Sequence, residues 1–312
     1  MSIQVDELTT RCDAIAVAVR RRRLVPFLGA GINMCGRTPP KFVPGQTLPN
    51  GAELACYLAA RFAYPGSGNL DLASVAQFAY SKESGPLYDA LAEIFRESYE
   101  PTAMHRLLTR VAVNLRLIVT TNYDDLMERA LDEANNAITT DQGKVHYDIV
   151  WYEAEGQNRG RFFHRPWAGA PRLIDQSNIY DGIDLTKRPV ILKIHGAIDR
   201  FTPAGGRPRD SFVIAEDQYI EYLLRTGLGT FLPSALSEEL GECHILFIGY
   251  GLRDWNMRVL LRRVWQESRL QWPSWAVQRD IDPVERELWK DRNVTLVAAE
   301  LEEFTRKLEE RL

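Results

Sequence analysis

Uninterrupted apolar runs punctuate the chain, separated by stretches whose apolar residues recur at helical spacing. The runs Leu24–Leu28, Leu115–Thr120, Val190–Ile194, His244–Ile248, Trp275–Gln278 and Val294–Ala298 have the continuous character of parallel strands covered on both faces. Between them, Val5, Leu8, Cys12, Ile15 and Val19 mark a helix over about residues 5–22, and Leu126 to Ala134 opens another with carboxylates in its first turn. From about 51 to 113 the pattern is helical throughout: Leu54, Leu58, Ala59 and Phe62 share one face, Leu87, Leu91, Ile94 and Phe95 another, and a third helix runs from Met104 to Val113. Further helices are expected from Tyr219, behind residue 256 on Met257, Leu260, Leu261 and Val264, from Pro283 to Lys290, and at Leu301, Phe304 and Leu308. Strand and helix alternate, so the expected fold class is α/β, a doubly wound, Rossmann-like parallel sheet with an inserted helical module. One domain over 1–312 is expected, with 51–113 as the helical insertion and 140–189 as an irregular insertion holding short β structure around His146–Tyr152 and Gly160–His164. Phe212 to Ala215 reads as a short strand.

Composition narrows the function classes. The 312 residues are 45% hydrophobic and 26% charged, with a formal charge of -4, which suits a water-soluble globule and not a basic binder of nucleic acid or of a membrane surface. Arg20 to Arg23 form a basic run, read as cations complementing a helix C-terminus and facing water. Cys12, Cys35, Cys56 and Cys243 form no C-x-x-C pair, so neither a disulfide framework nor a structural zinc site is indicated. The start has no signal-peptide pattern and no segment has membrane-spanning length, so a cytoplasmic location is expected.

The candidate chemistry lies at strand ends. Gly29-Ala30-Gly31 leaves backbone N–H groups unshielded after the first strand, and residues 34–50, rich in Pro and Gly, follow as a loop placed to close over a ligand. The second strand ends in Thr121-Asn122-Tyr123-Asp124-Asp125, where an Asp is equally a helix cap. His195-Gly196 ends the third, and Gly249-Tyr250-Gly251 the fourth. In an open parallel sheet such ends meet along one edge, where ligands bind. Neither a G-x-x-x-x-G-K-[ST] loop nor a G-x-S-x-G elbow occurs. His146 and His164 have no carboxylate or cysteine at ligand spacing, so packing or solvent exposure is their expected role, and no metal is expected.

The ordered set GAGIN, TTNYD, KIHG and GYGLRD, spread over residues 24 to 256, resembles the sirtuin-like NAD-binding fold. Within it the chain is most similar to bacterial sirtuin-like effectors of anti-phage defence, which carry TTNYD where protein deacetylases have QNID and which degrade NAD. Two departures separate it from the deacetylases. Asp199 to Ser211 contains no cysteine where they carry a four-cysteine zinc module, and Cys35-Gly36-Arg37-Thr38-Pro39-Pro40 stands in place of their Pro-Asp-Phe-Arg segment.

The resemblance implies an NAD glycohydrolase that releases nicotinamide and ADP-ribose, depleting the cofactor as a cell-suicide response. It makes Asn122 and His195 catalytic, Asn122 holding water and ribose and His195 acting as general base from a near-neutral intrinsic pKa. Asp124 would engage the carboxamide. Gly29, Ala30, Gly31 and Asn33 would cradle the pyrophosphate through backbone N–H groups and the N-terminus of the following helix, with Thr121 beside them. Gly249, Gly251 and Asp254 would border the adenosine end. NAD is then the substrate, and the implied partners are further copies of the chain and a sensor or activator protein or domain, with no direct nucleic-acid or membrane contact. Three other readings stay open: an NAD-dependent deacylase or ADP-ribosyltransferase, a non-catalytic module sensing NAD or a nucleotide, and an assembly subunit whose helical block contacts its own copies.

Overall fold

The computed structural model describes residues 6–201, 209–224, 232–251 and 270–312. The expected helix on Met257, Leu260, Leu261 and Val264 lies outside them, as does Asp254. Nine strands form one sheet: β1 (Leu24–Leu28), β2 (Leu117–Thr120), β3 (Asp148–Tyr152), β4 (Phe162–Arg165), β5 (Arg172–Ile174), β6 (Val190–Lys193), β7 (His244–Ile248), β8 (Ser274–Gln278) and β9 (Val294–Ala298). Their order across the sheet is β5-β4-β3-β6-β2-β1-β7-β8-β9. Every pairing from β3 to β9 is parallel, while β4 and β5 add an antiparallel ribbon at one edge. The expected doubly wound sheet is present, with a β-ribbon built from the irregular stretch.

Burial explains which strands were legible. All residues of β1, β2 and β6 are buried, as layers on both faces require. One core packs on one face around Phe27, Val119, Leu192 and Phe247, and another on the opposite face around Leu28, Ile118, Ile191 and Leu246. Phe212 to Ala215 departs from expectation. It is buried but extended, docked by Ser211 N–H on Ala197 O and Val213 N–H on His195 O, and so serves the loop after β6 without joining the sheet.

The stretch between β1 and β2 holds four helices where three were expected: α2 (Gly51–Arg61), α3 (Leu72–Lys82), α4 (Ser84–Phe95) and α5 (Ala103–Arg110). The extra one, α3, buries mainly alanines beside Val75, a weak apolar signal in sequence. Helices α2, α3 and α4 share a third core with Tyr123, Leu126, Phe212 and Ile214, while α5 packs through Met104, Leu107 and Leu108 into the core around Leu28 and Ile118. Helix α1 (Glu7–Arg20) precedes β1 and α6 (Leu126–Asn136) follows β2. Later come α7 (Glu216–Leu224), α8 (Ser234–Glu242), α9 (Pro283–Asp291) and α10 (Leu301–Glu309). No helix among the described residues is long and apolar enough to cross a membrane.

Candidate active site

Register brings the four candidate turns to one level. β6, β2, β1 and β7 are consecutive in the sheet, and Lys193 pairs with Thr120, Thr120 with Leu28, and Leu28 with Ile248. Each is the last residue of its strand, so the chain leaves all four at the same height. Beyond them lies a cavity of about 570 Å³ lined by Gly29, Ala30, Gly31, Asn33, Thr121, Asn122, Asp124, His195, Gly249 and Gly251. Every expected site residue among the described ones borders it, and its size is that of a ligand pocket.

The glycines do something other than expected. Gly29 N–H donates to Ile248 O at 2.9 Å and Gly31 N–H to Gly249 O at 2.7 Å, so both are spent on the neighbouring turn and are not free for a pyrophosphate. The turns after β1 and β7 interlock: a Cβ on Gly31 would stand 2.7 Å from Gly249 O, and one on Gly249, whose φ is +68°, 2.0 Å from Ile32 N. The expected helix N-terminus is also reduced, because Ala30–Met34 forms only a short 3-10 helix. The anion-binding part of the expectation therefore rests on fewer donors than the sequence implied. Gly251 is different, with nothing within 4 Å of its Cβ position among the described residues.

Asn122 is buried, and its amide donates to Gly29 O at 3.3 Å while its own N–H donates to Thr120 Oγ1 at 3.0 Å. Asp124 is the junction of the site. One carboxylate oxygen accepts Leu126 N–H at 3.1 Å, at the first residue of α6, and the other accepts the Asn33 amide at 3.0 Å. The N-cap position itself belongs to Asp125, whose side chain makes no capping bond. Its carbonyl accepts Lys193 Nζ, which also meets Glu128 Oε1 at 2.8 Å, a buried ion pair under the turn. Tyr123 points away, its hydroxyl donating to Val213 O at 2.7 Å and its ring edge-on to Phe95 and Phe212.

His195 is held by a turn only glycine can make. Gly196 has φ +88°, and a Cβ there would lie 2.2 Å from Ser211 O. The ring stands edge-on to Tyr219 of α7, centroids 5.4 Å apart. Burial pulls its pKa down to about 3, so the imidazole is neutral at physiological pH and a weaker base than its intrinsic value implied.

Sequence reading missed Tyr219, which carried no spacing signal distinguishing it from a core aromatic; Pro49 and Asn50, at the end of the loop expected to close over a ligand, also line the cavity. The loop bearing these two is fastened: Arg37 pairs with Glu53 at 2.7 Å, and Glu53 accepts the N–H groups of Phe42 and Asn50 at 3.0 Å each. The two histidines of the irregular stretch have the expected packing roles. His164 is buried between Asp148 at 3.1 Å and the Tyr180 hydroxyl at 2.7 Å, and His146 stacks on Trp167. The four cysteines are free.

With this geometry in place, residues 116–297, more than half of the chain, match the SIR2-like domain. The chain belongs to the SIR2-like family. Among curated proteins it is 26% identical over 259 residues to the NAD(+) hydrolase ThsA of Acinetobacter baumannii, covering 81% of this chain and 41% of that protein. It is 23% identical over 292 residues to defense-associated sirtuin 2 of Bacillus subtilis, covering 91% of this chain and 24% of that protein. The chain thus spans less than half the length of these relatives. A solved Sir2 enzyme structure aligns over 98% of this SIR2-like chain and 96% of its own, with TM-score 0.45 and 13% identity.

Proposed function

We propose that this SIR2-like chain is an NAD glycohydrolase, cutting NAD to nicotinamide and ADP-ribose as the NAD-depleting effector of an anti-phage response. The observation carrying the reading is the convergence of Asn122, Asp124 and His195 on one cavity over the carboxyl ends of β6, β2, β1 and β7. The names of the two relatives, one an NAD(+) hydrolase and one a defence sirtuin, support substrate and setting.

The chemistry asks little of a base. As the ribose–nicotinamide bond breaks, its electron pair leaves with the neutral nicotinamide and an oxocarbenium-like carbon remains. Water bound to that carbon becomes strongly acidic, so a neutral imidazole of low basicity suffices to take its proton and pass it to solvent. Asn122 would orient water and ribose through its amide, and Asp124, pinned from two sides, would accept from the carboxamide. Ala30, Asn33, Thr121, Gly249 and Gly251 would border the rest of the dinucleotide, with Asp254 assigned to the adenosine end by sequence alone. Control belongs to the same reading, through self-association or a sensor segment or protein, since an unrestrained NAD hydrolase would exhaust its own cell.

The test is incubation with NAD alone, followed by chromatography. Wild type releases nicotinamide and ADP-ribose in equal amounts, and His195→Ala and Asn122→Ala abolish release. A protein that turns over NAD only when an acylated peptide or other acceptor is added is a deacylase or transferase, and one that binds NAD without cutting it is a sensor.

A further inference from the structure

A second cavity, of about 600 Å³, lies on the α6 face of the sheet. Register builds its floor: Lys193 pairs with Trp151 and Trp151 with Phe163, so the three side chains stand in one row on one face. The Trp151 and Phe163 rings are 5.4 Å apart and 14° from parallel. Phe201 adds a third ring 5.7 Å from Trp151, with the Arg165 guanidinium 4.4 Å over it.

The charges around this platform are of two kinds. Some are satisfied within the protein: Lys193 by Glu128, Asp125 by Arg200, and Asp132 by the Tyr147 hydroxyl at 2.9 Å. Glu153 lines the cavity with no cation at contact distance among the described residues. Burial pushes its carboxyl up to about 7, and the Glu155 backbone N–H and the more distant Arg209 offset this only in part. Arg165 and Arg209 supply positive charge to the same cavity.

We propose that this cavity is a second ligand site, for a planar nitrogen heterocycle bearing an anionic group, of the purine mononucleotide class. The base packs against the Trp151, Phe163 and Phe201 rings, its amino or imino N–H groups donate to Glu153, and the phosphate meets Arg165 and Arg209. A simple apolar guest leaves these polar groups unanswered, and a simple anion leaves the aromatic floor bare. The site is separate from the sheet-edge cavity yet adjoins it: Asp125 follows Asp124 in the chain, Lys193 Nζ donates to Asp124 O, and Ala197 to Phe201 continue from His195-Gly196.

The experiment is isothermal titration calorimetry with AMP and GMP, which reads binding whether or not NAD is cleaved. Wild type, His195→Ala and Asn122→Ala bind one equivalent of AMP or GMP saturably, and Glu153→Gln, Phe201→Ala and Arg165→Met each weaken binding by about tenfold or more. Glu153, Phe201 and Arg165 are not fully buried, so three separate variants guard against one failing to fold. Absence of saturable binding to wild type overturns the proposal. So does binding that is lost in His195→Ala or Asn122→Ala, or that survives unchanged in the three second-cavity variants.

Discussion

The Asn33 side-chain amide donates to the Asp124 carboxylate at 3.0 Å, tying the turn after β1 to the turn after β2 across 91 positions of sequence. Both residues are buried, so the bond is charge-assisted and shielded from water. Asn33→Ala is expected to cost about 1.5–3 kcal/mol of unfolding free energy in urea. Asn33→Asp costs more, because it sets two carboxylates against each other, and should lower nicotinamide release further than Asn33→Ala does. Equal effects of the two would show that Asp124 does not depend on this donor.

Beneath the same turn, Lys193 and Glu128 form an ion pair with side chains 2% and 10% exposed. Lys193→Met alone leaves a carboxylate buried without its cation and is expected to cost about 3–5 kcal/mol. The double variant Lys193→Met/Glu128→Leu should recover most of that loss. A double-mutant cycle by denaturation reads the coupling directly, and additive losses would contradict it.

Two glycines of the site should respond in opposite ways. Gly249→Ala puts a Cβ at 2.0 Å from the Ile32 nitrogen at a positive φ, so strain of about 1–3 kcal/mol adds to a backbone overlap and the protein should lose its fold or its solubility. Gly251→Ala meets nothing within 4 Å among the described residues and should stay within about 0.5 kcal/mol of wild type. Its effect, if any, should fall on KM for NAD.

These glycines mark the limit of what sequence could tell. The strand ends of β1, β2, β6 and β7 were legible because continuous apolar runs end abruptly in polar or glycine residues, and a parallel sheet must place such ends together. That Gly29 and Gly31 spend their N–H groups on Ile248 and Gly249 was not legible, since it depends on how two turns 218 residues apart interlock. Strand β5 was missed because it is a three-residue edge with an exposed Arg172. Phe212 to Ala215 was misread because an apolar run reports burial, and here the burial comes from docking on the His195 loop.

Burial also sets the pH behaviour. The unfolded chain protonates His195 near the ordinary histidine value of 6.5, whereas the folded protein holds the ring neutral down to about 3, and His105 behaves likewise down to about 4. Protons therefore favour the unfolded state between those values, so the stability these two residues contribute is complete above about 6.5 and is lost as pH falls toward 3. Glu153 has the opposite sign, its carboxyl pushed from 4.5 to about 7 by burial, so its contribution is complete below 4.5 and fades as pH rises through 7. Melting curves of Glu153→Gln should lack that decline and exceed wild type in relative stability at pH 8. In catalysis, kcat/KM should show no acidic limb from His195 between pH 5 and 8. A limb near 6.5 would mean that the imidazole titrates as if exposed.

The central claim is that water attacks the ribose of NAD held over Asn122 and His195, and isotope incorporation tests it most directly. NAD is incubated alone with the protein in ¹⁸O-labelled water, and the products are resolved by mass spectrometry. The account predicts equimolar nicotinamide and ADP-ribose carrying one ¹⁸O at the anomeric hydroxyl, with neither product from His195→Ala. Unlabelled ADP-ribosyl products, or labelled ADP-ribose formed at the wild-type rate by His195→Ala and Asn122→Ala, would contradict it.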